Sequence, residues 1–263
     1  MGRIFITGSS DGLGLRAAKQ LVSKGHTVYL HARNPQRASD ARNACPGAAD
    51  VLLGDLTSIE ETKALAASLL KLEPMDCIFH NAGLYLGPYR AQAEGYPAVF
   101  AVNVIAPYLL TCLAPLPRRL VYASSDSHWG GSAGLEDFGW QERHKAGRFS
   151  QGSLYADTKL YNTMFGFAFA RRFASKGVVA HSVDPGWVPT KMGGAGAPGN
   201  INESERLYVM LAEGTGEAEG KNACFWENGK KGPAQVKQDA YDEKAQDALL
   251  KKLEGITGVK VPE

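Results

Sequence analysis

The chain has 263 residues, 44% of them hydrophobic, and its 29 Lys and Arg against 27 Asp and Glu give a net charge of +2. That length suffices for one large domain with a substantial core, and so balanced a charge excludes a nucleic-acid clamp or an electrostatic membrane binder. Thirty glycines alongside thirteen prolines, with no repeating period, exclude collagen and low complexity, so glycine must be concentrated at particular turns.

In chain order, apolar and β-branched runs at 3–7, 27–31, 50–54, 76–79, 119–124 and 178–183 read as strands. Several are continuous rather than alternating, as expected of strands covered on both faces. Helical patterns lie between them near 12–24, 58–71, 90–113 and 154–175, and the tail adds a helix near 203–213, a short strand near 223–226 and a helix near 240–253. This alternation implies right-handed strand–helix–strand crossovers and a single-domain α/β fold with a doubly wound parallel sheet and helices on both faces. Two stretches interrupt it. Residues 126–153 read as a long insertion loop carrying Trp129, Gly130, Gly131 and Trp140, and residues 187–202, with four glycines, as a mobile lid.

Cys45, Cys77, Cys112 and Cys224 form no C-x-x-C pair, and the six histidines have no ligand spacing, so no disulfide scaffold and no metal site is expected. The opening apolar stretch is too short for a signal peptide or a membrane span, and a cytoplasmic protein is expected.

The first strand ends in Thr7-Gly8-Ser9-Ser10-Asp11-Gly12-Leu13-Gly14, and a helix follows. A helix N-terminus offers unpaired N–H groups and partial positive charge to phosphate, and glycines let the backbone approach it. The same residues satisfy G-x-S-x-G, so an α/β-hydrolase with Ser10 as nucleophile is an alternative. It is disfavoured because the turn follows the first strand and the last histidine is His181. Further on stand Asp55-Leu56, Asn81-Ala82-Gly83 at a strand end, Asn103, Ser124-Ser125, Tyr155-x-x-x-Lys159 and Pro185-Gly186. Tyr155 and Lys159, four residues apart, share one helix face.

T-G-x-x-x-G-x-G, D-L, N-A-G, Asn, S-S, Y-x-x-x-K and P-G in this order resemble the short-chain dehydrogenase/reductase family over roughly residues 3–230. The string from Pro185 to Gly194 looks most like bacterial ketoreductases, and the wider layout resembles the retinol-dehydrogenase branch. His80 and Asp184 depart from the family's commoner residues.

The resemblance implies a Rossmann-type fold and a hydride-transferring enzyme. In it Tyr155 exchanges a proton with the substrate oxygen, Lys159 favours phenolate and holds the nicotinamide ribose, Ser125 hydrogen-bonds the substrate, and Asn103 fixes a relay water. It places the cofactor on Gly8, Ser10, Asp11, Gly12, Leu13, Gly14, Asp55, Leu56, Asn81, Ala82, Gly83, Pro185, Gly186, Val188 and Thr190, besides Tyr155 and Lys159. The second strand ends Tyr29-Leu30-His31-Ala32-Arg33 with no acid from Thr27 to Ser39. An arginine there suits the 2′-phosphate of NADP(H), with Arg37 or Arg16 as helpers, in preference to NAD(H).

The expected partner is a bulky apolar carbonyl compound or alcohol, lined by Trp129, Trp140, Trp187 and Met192. His128 reads as a loop residue beside the pocket. A non-catalytic dinucleotide-binding regulator on the same fold is the alternative from another class. The helix after Tyr155 is apolar nearly all round, so its outer face meets either a partner subunit, in a homodimer or tetramer, or the 126–153 insertion, leaving a monomer.

Overall fold

The structure, a computed structural model, describes residues 1–85, 87, 89 and 95–263. Among these, seven parallel strands form one sheet in the order β3-β2-β1-β4-β5-β6-β7. They are β1 (Arg3–Ile6), β2 (Thr27–Ala32), β3 (Asp50–Leu53), β4 (Cys77–His80), β5 (Arg119–Ala123), β6 (Val179–Asp184) and β7 (Cys224–Glu227). The expected strands are all present, shifted by a residue or two at their ends. The central ones are sealed on both faces, which is why they read as unbroken apolar runs.

Helices α1 (Gly12–Ser23), α2 (Pro35–Ala44) and α8 (Ile201–Glu213) cover one face, through Leu13, Ala17, Leu21, Ala38, Ala41, Tyr208 and Leu211. Helices α3 (Ile59–Leu69), α5 (Ala106–Leu113), α7 (Gln151–Arg172) and α9 (Glu243–Thr257) cover the other. A short α4 (Ala98–Phe100) leads through one wide π-helical turn, Ala101–Ile105, into α5. The part of the expected 90–113 helix that falls on 90–94 lies outside the described residues.

Strand order reverses between β1 and β4. In open parallel sheets such a switch point opens a crevice beyond the strands' C-terminal ends, where ligands bind. The glycine turn after β1 and Asn81-Ala82-Gly83 after β4 meet there.

The 126–153 insertion is not the unstructured loop its composition implies. It holds a 3₁₀ turn (Asp126–Gly130) and α6 (Gln141–Lys145), and α7 already begins at Gln151. Asp157 of α7 anchors it: the carboxylate accepts hydrogen bonds from Ser132 N (2.7 Å) and Trp140 Nε1 (2.8 Å). Helix α9 covers α7 further along, where Phe167 meets the Tyr241 ring at 4.9 Å and Arg171 pairs with Asp247 at 2.6 Å. The insertion, the turn carrying Tyr241 and α9 thus cover much of the outer face of α7.

Candidate active site

The glycine turn is laced to the end of β4. Asn81 Nδ2 donates to Thr7 O (2.8 Å) and Gly8 O (3.2 Å), and Ala82 N donates to Thr7 Oγ1 (2.9 Å). Gly8 has φ +62°, and a Cβ on it would come within 2.8 Å of the Ala82 backbone; a Cβ on Gly14 would come within 2.5 Å of Asn81 Nδ2. No other residue fits either place. At Gly12 a Cβ would meet only Thr190, at 3.8 Å, so this glycine is less crowded than Gly8 and Gly14. This cradle fits a dinucleotide.

Asp11, just before α1, does not cap the helix. Its carboxylate pairs with Arg37 and with Lys191 (3.1 Å) instead. Burial opposes its charge, but hydrogen bonds from Arg37 and Lys191 prevail and hold its pKa below the usual value. Arg33, just after β2, is exposed. Arg16 pairs with Glu205 at 2.7 Å and donates to Asn202 Oδ1 at 2.8 Å. Leu13 and Leu56 are buried, while Asp55 Oδ1 accepts from Thr57 N at 2.9 Å.

His31 was not expected in this role. Its Nδ1 accepts from Gly8 N (2.9 Å) and its Nε2–H donates to Gly54 O (2.8 Å), while burial lowers its pKa and keeps it neutral. A polar residue inside the apolar run of β2 was the only sequence sign. With both ring nitrogens committed to backbone, His31 cannot act as a base for Ser10, and the hydrolase alternative has no support at this turn.

Helix α7 brings Tyr155 (8% exposed) and Lys159 (4%) to the ends of β4 and β5. Lys159 Nζ donates to Ala123 O (2.8 Å) and lies 5.4 Å from the centre of the Tyr155 ring. The Ser125 hydroxyl donates to Asp126 Oδ1 (3.0 Å), and its nearness to Tyr155 favours the charged form of that phenol. Burial raises the Tyr155 pKa above the ordinary phenol value, only partly offset by Ser125. Burial likewise pushes Lys159 down to about 8, with Asp184 working the other way.

Asn103 sits in the π-helical turn, a distortion that often marks functional positions. Its Oδ1 accepts from Leu84 N (2.8 Å), its Nδ2 donates to Leu84 O (2.9 Å) and Thr158 Oγ1 (3.0 Å), and its backbone O accepts from Asn162 Nδ2 (2.6 Å). A Cβ on Gly83 would lie 3.6 Å from both Asn103 Oδ1 and Lys159 Nζ. Across the mouth, Gly186 (φ +77°) donates its N–H to Asp184 Oδ1, and Pro185 O accepts from Ser204 Oγ (2.6 Å). Val188 is buried, and Thr190 Oγ1 accepts from Gly193 N at 3.1 Å.

Two side chains differ from expectation. Trp140 is buried against Asp157 and anchors the insertion rather than lining a pocket; Trp129, Trp187 and Met192 are exposed. His128 stands in the turn after β5 beside Ser125, as expected, but is fully buried. Its Nδ1 meets Ser125 O at 2.7 Å, and its Nε2 accepts from Lys237 N at 3.4 Å, so the C-terminal segment helps fix the backbone of Ser125. Tyr85, unforeseen, lays its ring edge-on against Tyr155 at 4.7 Å.

Comparison with known proteins agrees with this arrangement. A family model described as short chain dehydrogenase matches residues 3–118. The chain is 45% identical to "Uncharacterized oxidoreductase AN7799" of Emericella nidulans, over 100% of this chain and 99% of that protein. It is 42% identical to "Short-chain dehydrogenase chyC" of Penicillium rubens, over 100% of both. A crystal structure of an uncharacterized protein from Mycobacterium paratuberculosis superposes with a TM-score of 0.85 at 24% identity, over 100% of this chain and 96% of that one. Full-length identity at this level, on a fold with its glycine turn and Tyr155–Lys159 pair in place, shows that the chain belongs to the short-chain dehydrogenase/reductase family of oxidoreductases.

Proposed function

We propose that the protein is an NADP(H)-dependent carbonyl reductase, reversible toward the alcohol, acting on a bulky apolar ketone or aldehyde. The observation that carries this reading is the meeting of Ser125, Tyr155 and Lys159 beside the glycine cradle. A regulator that only bound the dinucleotide would need none of the three there.

The nicotinamide cofactor, when bound, supplies or accepts the hydride. The chain's own residues do the rest. The Ser125 hydroxyl donates to the substrate oxygen, and the Tyr155 hydroxyl passes its proton to that oxygen as negative charge develops. Burial suits Tyr155 to donation, because it keeps the phenol protonated well above neutrality. The Lys159 ammonium, held on Ala123 O, favours the phenolate left behind and can bind a ribose hydroxyl. Asn103 holds the loop after β4 against α7. The turn's N–H groups and the α1 N-terminus receive the pyrophosphate, while Arg33 and Arg37 receive the 2′-phosphate. Tyr85, against Tyr155, and Met192, near Gly83, are exposed apolar groups beside the site and favour an apolar substrate, to which exposed Trp129 and Trp187 would add.

The test is oxidation of NADPH against a panel of ketones and aldehydes, with kcat/KM for NADPH and NADH compared on the best substrate. A preference for NADPH of at least about tenfold, about 1.4 kcal/mol, is expected from two guanidinium contacts. A preference for NADH would end the cofactor assignment, and no turnover with any carbonyl would end the reductase reading.

A further inference from the structure

Asp184 has no part in the scheme above, yet its carboxylate is buried close enough to Tyr155 and Lys159 to act on the charge of both. It ends β6, is 5% exposed, and accepts a hydrogen bond from Gly186 N at 2.8 Å. The pairing of β5 with β6 fixes its place: Ala123 lies opposite Val183, and Ser124 N donates to Val183 O at 2.7 Å. Asp184 is therefore the next residue along from the partner of Ala123, whose carbonyl holds Lys159 Nζ. The ionisable groups that bear on it are Lys159 and Tyr155 from α7, Asp126 from the turn after β5, Glu227 from β7 and Tyr208 from α8. Lys159 is the one cation in that set. The carboxylate also receives the backbone N–H of Asp126, and a neutral acceptor would satisfy Gly186 equally well.

We propose that Asp184 is a positioning residue of electrostatic kind, whose negative charge sets the pH at which the Tyr155–Lys159 pair releases its first proton. The inference rests on the reductase reading for its kinetic form only. An anion makes loss of a proton from a neighbouring pair harder, whichever member releases it. The low polarity of the site magnifies the effect. Burial raises the Asp184 carboxyl to about 6, so the charge is present through neutral and alkaline pH and disappears in acid.

Asp184→Asn keeps Oδ1 for the Gly186 N–H and removes the charge. Carbonyl reduction needs the pair fully protonated, so the alkaline limb of kcat/KM should move to lower pH by about one unit. The same displacement should appear without cofactor or substrate, in the 13C NMR titrations of the Lys159 Cε and the Tyr155 ring in the apoprotein, with Lys159→Ala and Tyr155→Phe identifying the resonances. Asp184→Ser, neutral and differently shaped, should give the same sign, and Glu227→Gln, one strand away, should leave the midpoint in place. Superimposable titrations for wild type, Asp184→Asn and Asp184→Ser would overturn the proposal. If the wild type reduced no carbonyl, the reductase reading would fail while the apoprotein titration still decided the role of Asp184.

Discussion

Tyr155 and Lys159 carry opposite consequences of the same burial. Exclusion of water raises the phenol and lowers the ammonium, so each is driven toward its neutral form. For reduction this is useful on the tyrosine side, since a neutral phenol is the form that donates. Tyr155→Phe removes the donated proton while leaving the ring packed against Tyr85. Turnover should fall at least about a hundredfold, with NADPH affinity, followed by its fluorescence, changed by less than about twofold. Retained turnover would assign proton transfer to another group. The spacing of Tyr155 and Lys159 was legible in the sequence because it is local to one helix. The neighbours that tune and hold the site were not: Lys237 reaches His128 across 109 residues, and Gly54 meets His31 across 23. No local pattern encodes such pairs, since they exist only once the sheet has brought its strand ends together.

At the scale of elements, the strands and the longer helices followed from apolar periodicity. Helix α2 was missed because its hydrophobic face is only Ala38 and Ala41, although Asn34 and Pro35 carry its start signal: Asn34 Oδ1 accepts from Arg37 N at 3.0 Å. The insertion read as loop for a related reason. Its order comes less from its own periodicity than from what it meets, chiefly Asp157, which accepts from both Ser132 N and Trp140 Nε1. Replacing Asp157 by Ala leaves two donors without partners. It should cost about 2–4 kcal/mol, at roughly 1–3 kcal/mol for each stranded donor with partial relief by water. Urea unfolding monitored by tryptophan fluorescence measures this, and a change below about 0.5 kcal/mol would show that the insertion is held by other contacts.

For the whole molecule, the same helix decides how chains associate. An apolar α7 leaves two options: cover its outer face with a second chain, or with more of the same chain. Here the insertion and α9 do the covering, and Trp140, Phe138, Leu249, Leu250 and Leu253 join the core that includes Tyr161, Phe165 and Phe169. We expect a monomer, with light scattering at micromolar concentration giving a mass near 28.2 kDa. A species of twice that mass would mean that a different surface pairs. Among the described residues no helix is long and apolar enough to cross a membrane.

The anchor of the insertion lies between the two reactive positions in sequence, and helical geometry gives this a mechanical meaning. At about 100° per residue, position 157 points away from both 155 and 159, which are about 40° apart. Helix α7 thus carries the proton-handling groups on one side and the fastening of the insertion on the other. Any rotation of a helix about its axis carries positions 155 and 159 through the same angle and leaves the distance between them unchanged. A substitution in the insertion that turned α7 would therefore alter the aim of the pair at Ser125 and at the strand ends, not the separation of its members.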